Sequence, residues 1–263
     1  MSITKKLRIL ASSSRVLGVW ETSRAALAHL LTYKPDKDYS FDHKYGTDTA
    51  STVSVEDLHI ADEEAKQAAV FYVSAPARLI RYMFTTLGIN YNEFDVVDFG
   101  CGKGRVLMVA SEFPFRSITG IEISRMLCNV AEENIRKFHS PRLKCSRFEV
   151  RCLDARNYHP TGEDTVFHFY HPFQAELLKH VLASISTRHR ATGKRAVILY
   201  TWTAVESLFP LFRRQGFELL SYTQTANPRY QFATFAFVNH SDNPERAALI
   251  RETAMDNPKP DLG

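Results

Sequence analysis

Hydrophobic and polar positions along the chain follow two alternating periods. Phe94 to Phe99, Ser117 to Glu122, Phe148 to Cys152, Thr165 to Tyr170 and Arg195 to Thr201 are short apolar runs of strand length. Between them apolar residues recur at helical spacing. Pro76 opens one such stretch, with Leu79, Ile80, Met83, Phe84 and Leu87 on one face and Gly88 at its end. Arg105 to Phe113, Ser124 to Phe138, Gln174 to Arg188 and Ala204 to Gln215 read as further helices. Two last strands, Glu218–Thr225 and Tyr230–Val238, flank the turn Asn227-Pro228 with no helix between them. Strands alternating with helices predict a parallel sheet covered on both faces. The expected fold is therefore α/β: a doubly wound, mostly parallel seven-stranded sheet ending in an antiparallel hairpin, with an N-terminal helical and lid extension.

The extension comes from the first third of the chain. Residues 1–33 read as one or two helices, broken at Pro35-Asp36-Lys37-Asp38, and residues 36–60 read as a polar loop or lid. Residues 1–20 carry Lys5, Lys6, Arg8, Arg15, several serines and no acid. That is the composition of an organellar transit segment, or of an amphipathic helix with Leu7, Ile9, Leu10, Val16, Leu17 and Trp20 on its apolar face. The expected division is 1–73 for N-terminal helices and lid, 74–240 for the main domain and 241–263 for a peripheral tail.

Composition narrows the class. A hydrophobic fraction of 44% and a charged fraction of 24% suit a globular protein with a sizeable core. The net charge of +4 permits an acidic partner without demanding one. The densest basic cluster, Arg188-His189-Arg190 with Lys194 and Arg195, reads as a solvated helix end. Four cysteines without a CxxC pair argue against a zinc site, so no metal is expected, and they are too few for a disulfide scaffold. No membrane partner and a cytoplasmic location are expected.

The chemistry is concentrated in Val97-Asp98-Phe99-Gly100-Cys101-Gly102-Lys103-Gly104-Arg105, between the first strand and a helix. Glycines there allow a sharp turn and close approach of backbone to a ligand, with unpaired N–H groups at the helix start behind them. A dinucleotide fingerprint needs glycine where Arg105 stands, which argues against a nicotinamide-dependent oxidoreductase, and a P-loop needs a longer gap before Gly-Lys-Ser/Thr. The pattern acid-x-Gly-x-Gly-x-Gly resembles motif I of the class I S-adenosylmethionine-dependent methyltransferases. That resemblance implies S-adenosylmethionine as cofactor. It implies a loop formed by Gly100, Cys101, Gly102 and Gly104 beneath the methionine and ribose, with Asp98, the loop amides and Arg105 toward the amino-acid end. It implies Glu122 on the ribose, Ile123 along the adenine, and Asp154 with Ala155 on the adenine edge. For Asp154 a helix-capping role remains open.

In a doubly wound sheet ligands sit beyond the carboxyl ends of the strands, so the fourth strand delivers Phe169-Tyr170-His171-Pro172-Phe173 to the reacting methyl. This stretch is similar to the Asn/Asp-Pro-Pro-Tyr/Phe motif of methyltransferases acting on planar amino groups, but Tyr170 replaces the amide or acid and His171 replaces a proline. His171 is a candidate base or substrate-orienting group, with a structural role as the alternative. Tyr170 is a candidate catalytic and cofactor contact, and Pro172 and Phe173 are candidate substrate contacts. Tyr45, Asp48 and Thr49, within Phe41 to Thr49, are candidate lid or substrate residues, with a plain exposed loop as the alternative. Asp-x-x-Tyr-Gly-x-Asp-Thr and Tyr-x-Pro-Phe resemble a group of bacterial methyltransferases of unassigned substrate. The Pro76–Leu87 helix leading into the glycine loop looks like non-SET protein-lysine methyltransferases. Together they imply a methyl acceptor that is a protein or a small molecule rather than nucleic acid. A methyltransferase-like module that binds cofactor without catalysis is the competing reading, kept open by Tyr170-His171.

Overall fold

The computed structural model describes residues 39–202, 204–224 and 231–237. The expected helices of residues 1–33, the turn Asn227-Pro228 and the tail lie outside them. Among the described residues seven strands form one sheet: β1 (Asp95–Phe99), β2 (Ile118–Glu122), β3 (Phe148–Cys152), β4 (Thr165–Phe169), β5 (Ala196–Thr201), β6 (Phe217–Gln224) and β7 (Gln231–Phe237). Their spatial order is β3-β2-β1-β4-β5-β7-β6. The first five are parallel, and β7 lies antiparallel between β5 and β6. The order reverses between β1 and β4, the switch point where such sheets hold ligands.

Seven helices are described: α1 (Tyr39–Tyr45), α2 (Glu63–Ala68), α3 (Ala77–Thr85), α4 (Arg105–Ala110), α5 (Arg125–Lys137), α6 (Ala175–Thr192) and α7 (Phe209–Arg214). The strands alternate their side chains between two cores, as the period of two requires. Val96, Val166, Val197 and Leu199 pack with α3 and α4. Val97, Phe99, Phe167, Phe169 and Ile198 pack with α6 and α7. Each face removes a continuous apolar layer from water, the dominant favourable contribution to folding.

Several boundaries differ from the sequence reading for local reasons. Helix α4 stops at Ala110 rather than Phe113, where the Ser111 hydroxyl donates to the Met108 carbonyl in place of a continued ladder. Helix α6 runs on to Thr192, because Gly193 supplies the left-handed residue that closes it. The helix expected over 204–215 is divided into a 3-10 turn, Val205–Leu208, and α7, because Pro210 cannot donate to a continuous ladder. The stretch read as a polar loop holds α1 and a 3-10 turn, Glu56–Leu58. Helix α2, capped by Asp62 accepting from the Ala65 N–H at 2.6 Å, was not anticipated.

Residues 42–76 form a strap across the carboxyl ends of the strands. Phe41 and Tyr45 of α1 join the α3–α4 core and pack against Phe138. Further on, the Gln174 N–H donates to the Ala68 carbonyl at 2.9 Å, and Ala69 pairs with Phe173.

Candidate functional site

The glycine loop leaves β1 with three residues in the left-handed region: Gly100 at φ 68°, Gly102 at 53° and Gly104 at 83°. Two of these glycines are also points of close approach. A Cβ on Gly100 would stand 2.5 Å from the Pro172 Cβ, so the end of β4 docks directly on the loop. A Cβ on Gly102 would collide with the Tyr72 ring, which lies flush against the backbone there. The Tyr72 hydroxyl donates to the Thr49 carbonyl at 2.7 Å, and burial pushes its pKa up, so it stays a donor.

Glu122 ends β2 with its side chain turned into the loop. Its Oε1 accepts from the Ile123 and Ser124 N–H groups, both at 2.9 Å, and its Oε2 from the Gly102 N–H at 3.0 Å. Burial raises its pKa; the Ser124, Gly102 and Ile123 amides oppose that. A carboxylate has about four lone pairs. Oε1 is thus saturated, while Oε2 has room for one more donor. Ile123 packs against the cluster of Leu58, Ile60, Ala65 and Leu127, as Tyr72 and Met126 do. Cys101 fits against β2 because Gly120 has no side chain: a Cβ there would stand 2.6 Å from the Cys101 Sγ. Burial holds that thiol far above its ordinary pKa.

Asp98 is buried at the end of β1 beside a residue the sequence reading passed over. His168 on β4 is its register partner, and the His168 Nδ1–H donates to Asp98 Oδ1 at 2.7 Å. The signal was present as one ionisable side chain inside the apolar run Thr165-Val166-Phe167-His168-Phe169. Asp154 caps the turn Ala155–Asn157, accepting from the Arg156 N–H at 2.7 Å, and also pairs with the Arg156 guanidinium. Arg156 in turn holds Glu64 at 2.8 Å and Asp62 at 3.3 Å, fastening α2 beside this turn.

Arg105 points away from the loop and into the strap. Its Nε donates to Thr49 Oγ1 at 2.7 Å, its Nη1 to the Ala75 carbonyl at 3.4 Å, and Asp42 lies 3.8 Å from Nη2. Asp42 also gathers Thr47, Thr49 and Ala50. Asp48 pairs with Lys103 at 2.7 Å. The Asn134 amide of α5 accepts from the Asp48 N–H and donates to the Asp48 and Lys103 carbonyls. Tyr45 is buried in an aromatic cluster. The expected lid residues thus bind the strap to the glycine loop and α5.

Beyond the end of β4, His171 adopts φ 41°. Its Nδ1 lies 2.9 Å from the hydroxyl of fully buried Tyr200, and its ring stacks on Trp202 at 4.2 Å between centroids. Burial raises the Tyr200 pKa, so that phenol remains protonated. Phe173 is buried against Phe99 and Phe169, while Tyr170 is half-buried against the α3–α4 core. Tyr200 lies near the end of β5 and Trp202 just beyond it; no sequence signal marks either, and Arg195 to Thr201 reads as an ordinary strand. Among the described residues no group of three or more His, Cys, Asp or Glu side chains is placed to hold a metal ion.

The structure thus brings Asp98, Gly100 to Gly104, Glu122, Ile123 and Pro172 to one place at the switch point, with Asp154 and Ala155 at the next strand end. Sheet order and loop together define a doubly wound, Rossmann-like fold of seven strands ending in an antiparallel hairpin. No family model and no curated protein matches the sequence. Among solved structures the chain is similar to a TehB-like SAM-dependent methyltransferase from Corynebacterium glutamicum, at 20% identity and TM-score 0.42, over 60% of this chain and 85% of that one. It is similar to a magnesium protoporphyrin IX methyltransferase from Synechocystis with bound SAM, at 10% identity and TM-score 0.47, over 61% and 77%. It is also similar to a SAM-dependent methyltransferase from Clostridium acetobutylicum, at 9% identity and TM-score 0.48, over 63% and 93%. No helix among the described residues is long and apolar enough to cross a membrane.

Proposed function

We propose that the chain is an S-adenosylmethionine-dependent methyltransferase whose acceptor is a protein side chain or a small molecule. The observation that carries this reading is the glycine loop with Glu122 turned into it and Pro172 docked on Gly100. An adenosyl ligand asks for a tight loop, an acid able to accept from a ribose hydroxyl, and an acid for the ammonium end. The residues present fit: Glu122 Oε2 has one lone pair to spare, and Asp98 Oδ2 is buried with no hydrogen-bond partner among the described residues.

In this reading Glu122 takes a single ribose hydroxyl through Oε2, because Oε1 is committed to two amides. Ile123 and Ala155 flank the adenine, with Asp154 at its edge. Asp98 and the amides of Gly100, Cys101, Gly102 and Gly104 hold the amino-acid end, and Arg105 contributes by fastening the strap above it. When bound, the cofactor supplies a sulfonium methyl, an electrophile that needs positioning more than activation. Tyr170 covers the transfer position, with Pro172 and Phe173 behind it. His171 orients the acceptor or accepts its proton, its ring fixed by Tyr200 and Trp202. The division into an N-terminal extension over 1–73, a catalytic domain over 74–240 and a tail over 241–263 is part of this proposal. A cytoplasmic place of action is part of this proposal and rests on the four free cysteines.

Calorimetry with S-adenosylmethionine, followed by labelled methyl transfer in a lysate of the source cell, tests the reading. Binding to the wild type, loss of binding in folded Asp98→Ala, and a labelled protein or metabolite support it. Tight binding of NADH with none of S-adenosylmethionine overturns it.

A further inference from the structure

The Asp98–His168 pair is built in a way that a structural role does not explain. The two residues lie on adjacent parallel strands, and both are almost fully buried, His168 at 1% and Asp98 at 2% exposure. They share one hydrogen bond, His168 Nδ1–H to Asp98 Oδ1. Each then has one buried atom without a partner among the described residues, Oδ2 on Asp98 and Nε2 on His168. An ionised carboxylate only accepts, so the shared proton sits on Nδ1.

Such an arrangement works against stability. A buried polar atom left unpaired costs about 1–3 kcal/mol, and apolar residues of similar volume often replace a buried charged pair without loss. The other β4 position on that face is apolar Val166. Burial raises the Asp98 carboxyl above its ordinary range, and His168 offsets only part of that. His168 therefore does two things at once: it occupies Oδ1, and it favours the charged form of a carboxylate whose second oxygen is idle. Asp98 stands just before the glycine loop, and no third metal-ligating side chain accompanies the pair among the described residues. A single cationic donor is the guest that completes it.

We propose that His168 is a positioning residue for the ammonium of the cofactor's amino-acid end: by holding Asp98 Oδ1 it reserves Oδ2 for that group. The inference rests on the reading of the site as one for S-adenosylmethionine. It assigns His168 to the methionine moiety alone, with no part in holding the adenosine.

Two ligands separate the moieties: S-adenosylhomocysteine carries the ammonium, and 5′-methylthioadenosine lacks it. Calorimetry on the full chain compares wild type, His168→Leu and His168→Asn, the last presenting an amide N–H near the place of Nδ1–H. His168→Leu should weaken S-adenosylhomocysteine by about tenfold or more, as loss of a charge-assisted contact does, and leave 5′-methylthioadenosine unchanged. His168→Asn should recover most of that loss. Equal weakening of both ligands, or no weakening of either, overturns the proposal, as does an Asn variant no better than Leu. If His168→Leu does not fold, nitrogen NMR of the wild-type imidazoles decides. The His168 ring should show a protonated Nδ1 and respond to S-adenosylhomocysteine but not to 5′-methylthioadenosine; the same response to both overturns it. Wild-type protein that binds neither ligand overturns the site reading and this inference together, whereas wild-type binding with an indifferent His168→Leu overturns only the inference.

Discussion

Arg105→Met separates two roles for the first residue of α4, ligand contact and strap anchor. The Arg105 guanidinium is buried and bonded to Thr49 at 2.7 Å and to Ala75 at 3.4 Å, with Asp42 at 3.8 Å. Asp42 does not become stranded when the arginine is removed, because Thr47, Thr49 and Ala50 still donate to it. The loss includes one charge-assisted hydrogen bond, about 1.5–3 kcal/mol, a longer carbonyl contact, part of an ion pair and the guanidinium's contact with the Phe41 ring. Breaking a buried pair costs about 3–5 kcal/mol when the partner is left uncompensated; with Asp42 compensated, the low end applies. Methionine retains most of the aliphatic packing, so the expected destabilisation is about 3 kcal/mol, a large share of the roughly 5–15 kcal/mol that keeps a domain folded. The assay is guanidinium chloride unfolding of the protein without any ligand, paired with limited proteolysis between Thr47 and Ala69. The midpoint should fall and cleavage in the strap should accelerate. Stability unchanged to within about 0.5 kcal/mol, with S-adenosylmethionine affinity lost, would refute this reasoning and make Arg105 a ligand contact alone.

Three other outcomes are expected. Gly102→Ala should cost about 1–2 kcal/mol for a left-handed backbone and about 1–3 kcal/mol for overpacking against the anchored Tyr72 ring; the double variant with Tyr72→Ala should lack the second part, and a single variant of wild-type stability would contradict the loop geometry. His171→Ala should lower methyl-transfer turnover by about a hundredfold or more if the ring moves a proton, with cofactor affinity little changed; equal turnover would leave the ring a structural one. Burial holds His189 below its ordinary pKa of 6.5, so the unfolded chain binds a proton there that the fold rejects. Stability should therefore be full above about pH 6.5 and fall as the pH drops below it. His189→Asn, which retains a donor toward the Lys194 carbonyl, should flatten that slope; identical slopes in both proteins would show that another group sets it.

The legible parts of the chain are those whose cause is local. The left-handed glycines between an apolar run and a helix could be read directly, because the backbone conformation demands that residue type. The doubly wound sheet followed from alternating periods, and the hairpin from two strands without a helix between them. The strap was less legible because its partners are remote. Helix α1 is seven residues long, too short for a period to show, and what buries Phe41 and Tyr45 is Phe138, far along the chain. The chemistry of Arg105 suits a ligand carboxylate; only the fold reveals Asp42 and Thr49 within its reach. His168 was hidden for a related reason, since the strand register that sets it beside Asp98 is a property of two strands together.

The Asn134 amide holds Asp48 from 86 positions further along the chain. At the pace of synthesis, about 5–20 residues per second, Asp48 leaves the ribosome several seconds before its partner does. The strap is thus made before the residues that hold it, and Phe41 and Tyr45 precede their ring partner Phe138 along the chain. That interval is when a chaperone would find the nascent chain, and when premature strap contacts would be made. Slowing translation between Lys103 and Lys137 should lengthen the exposure without changing the finished protein, so the choice of codons in that stretch becomes a determinant of yield.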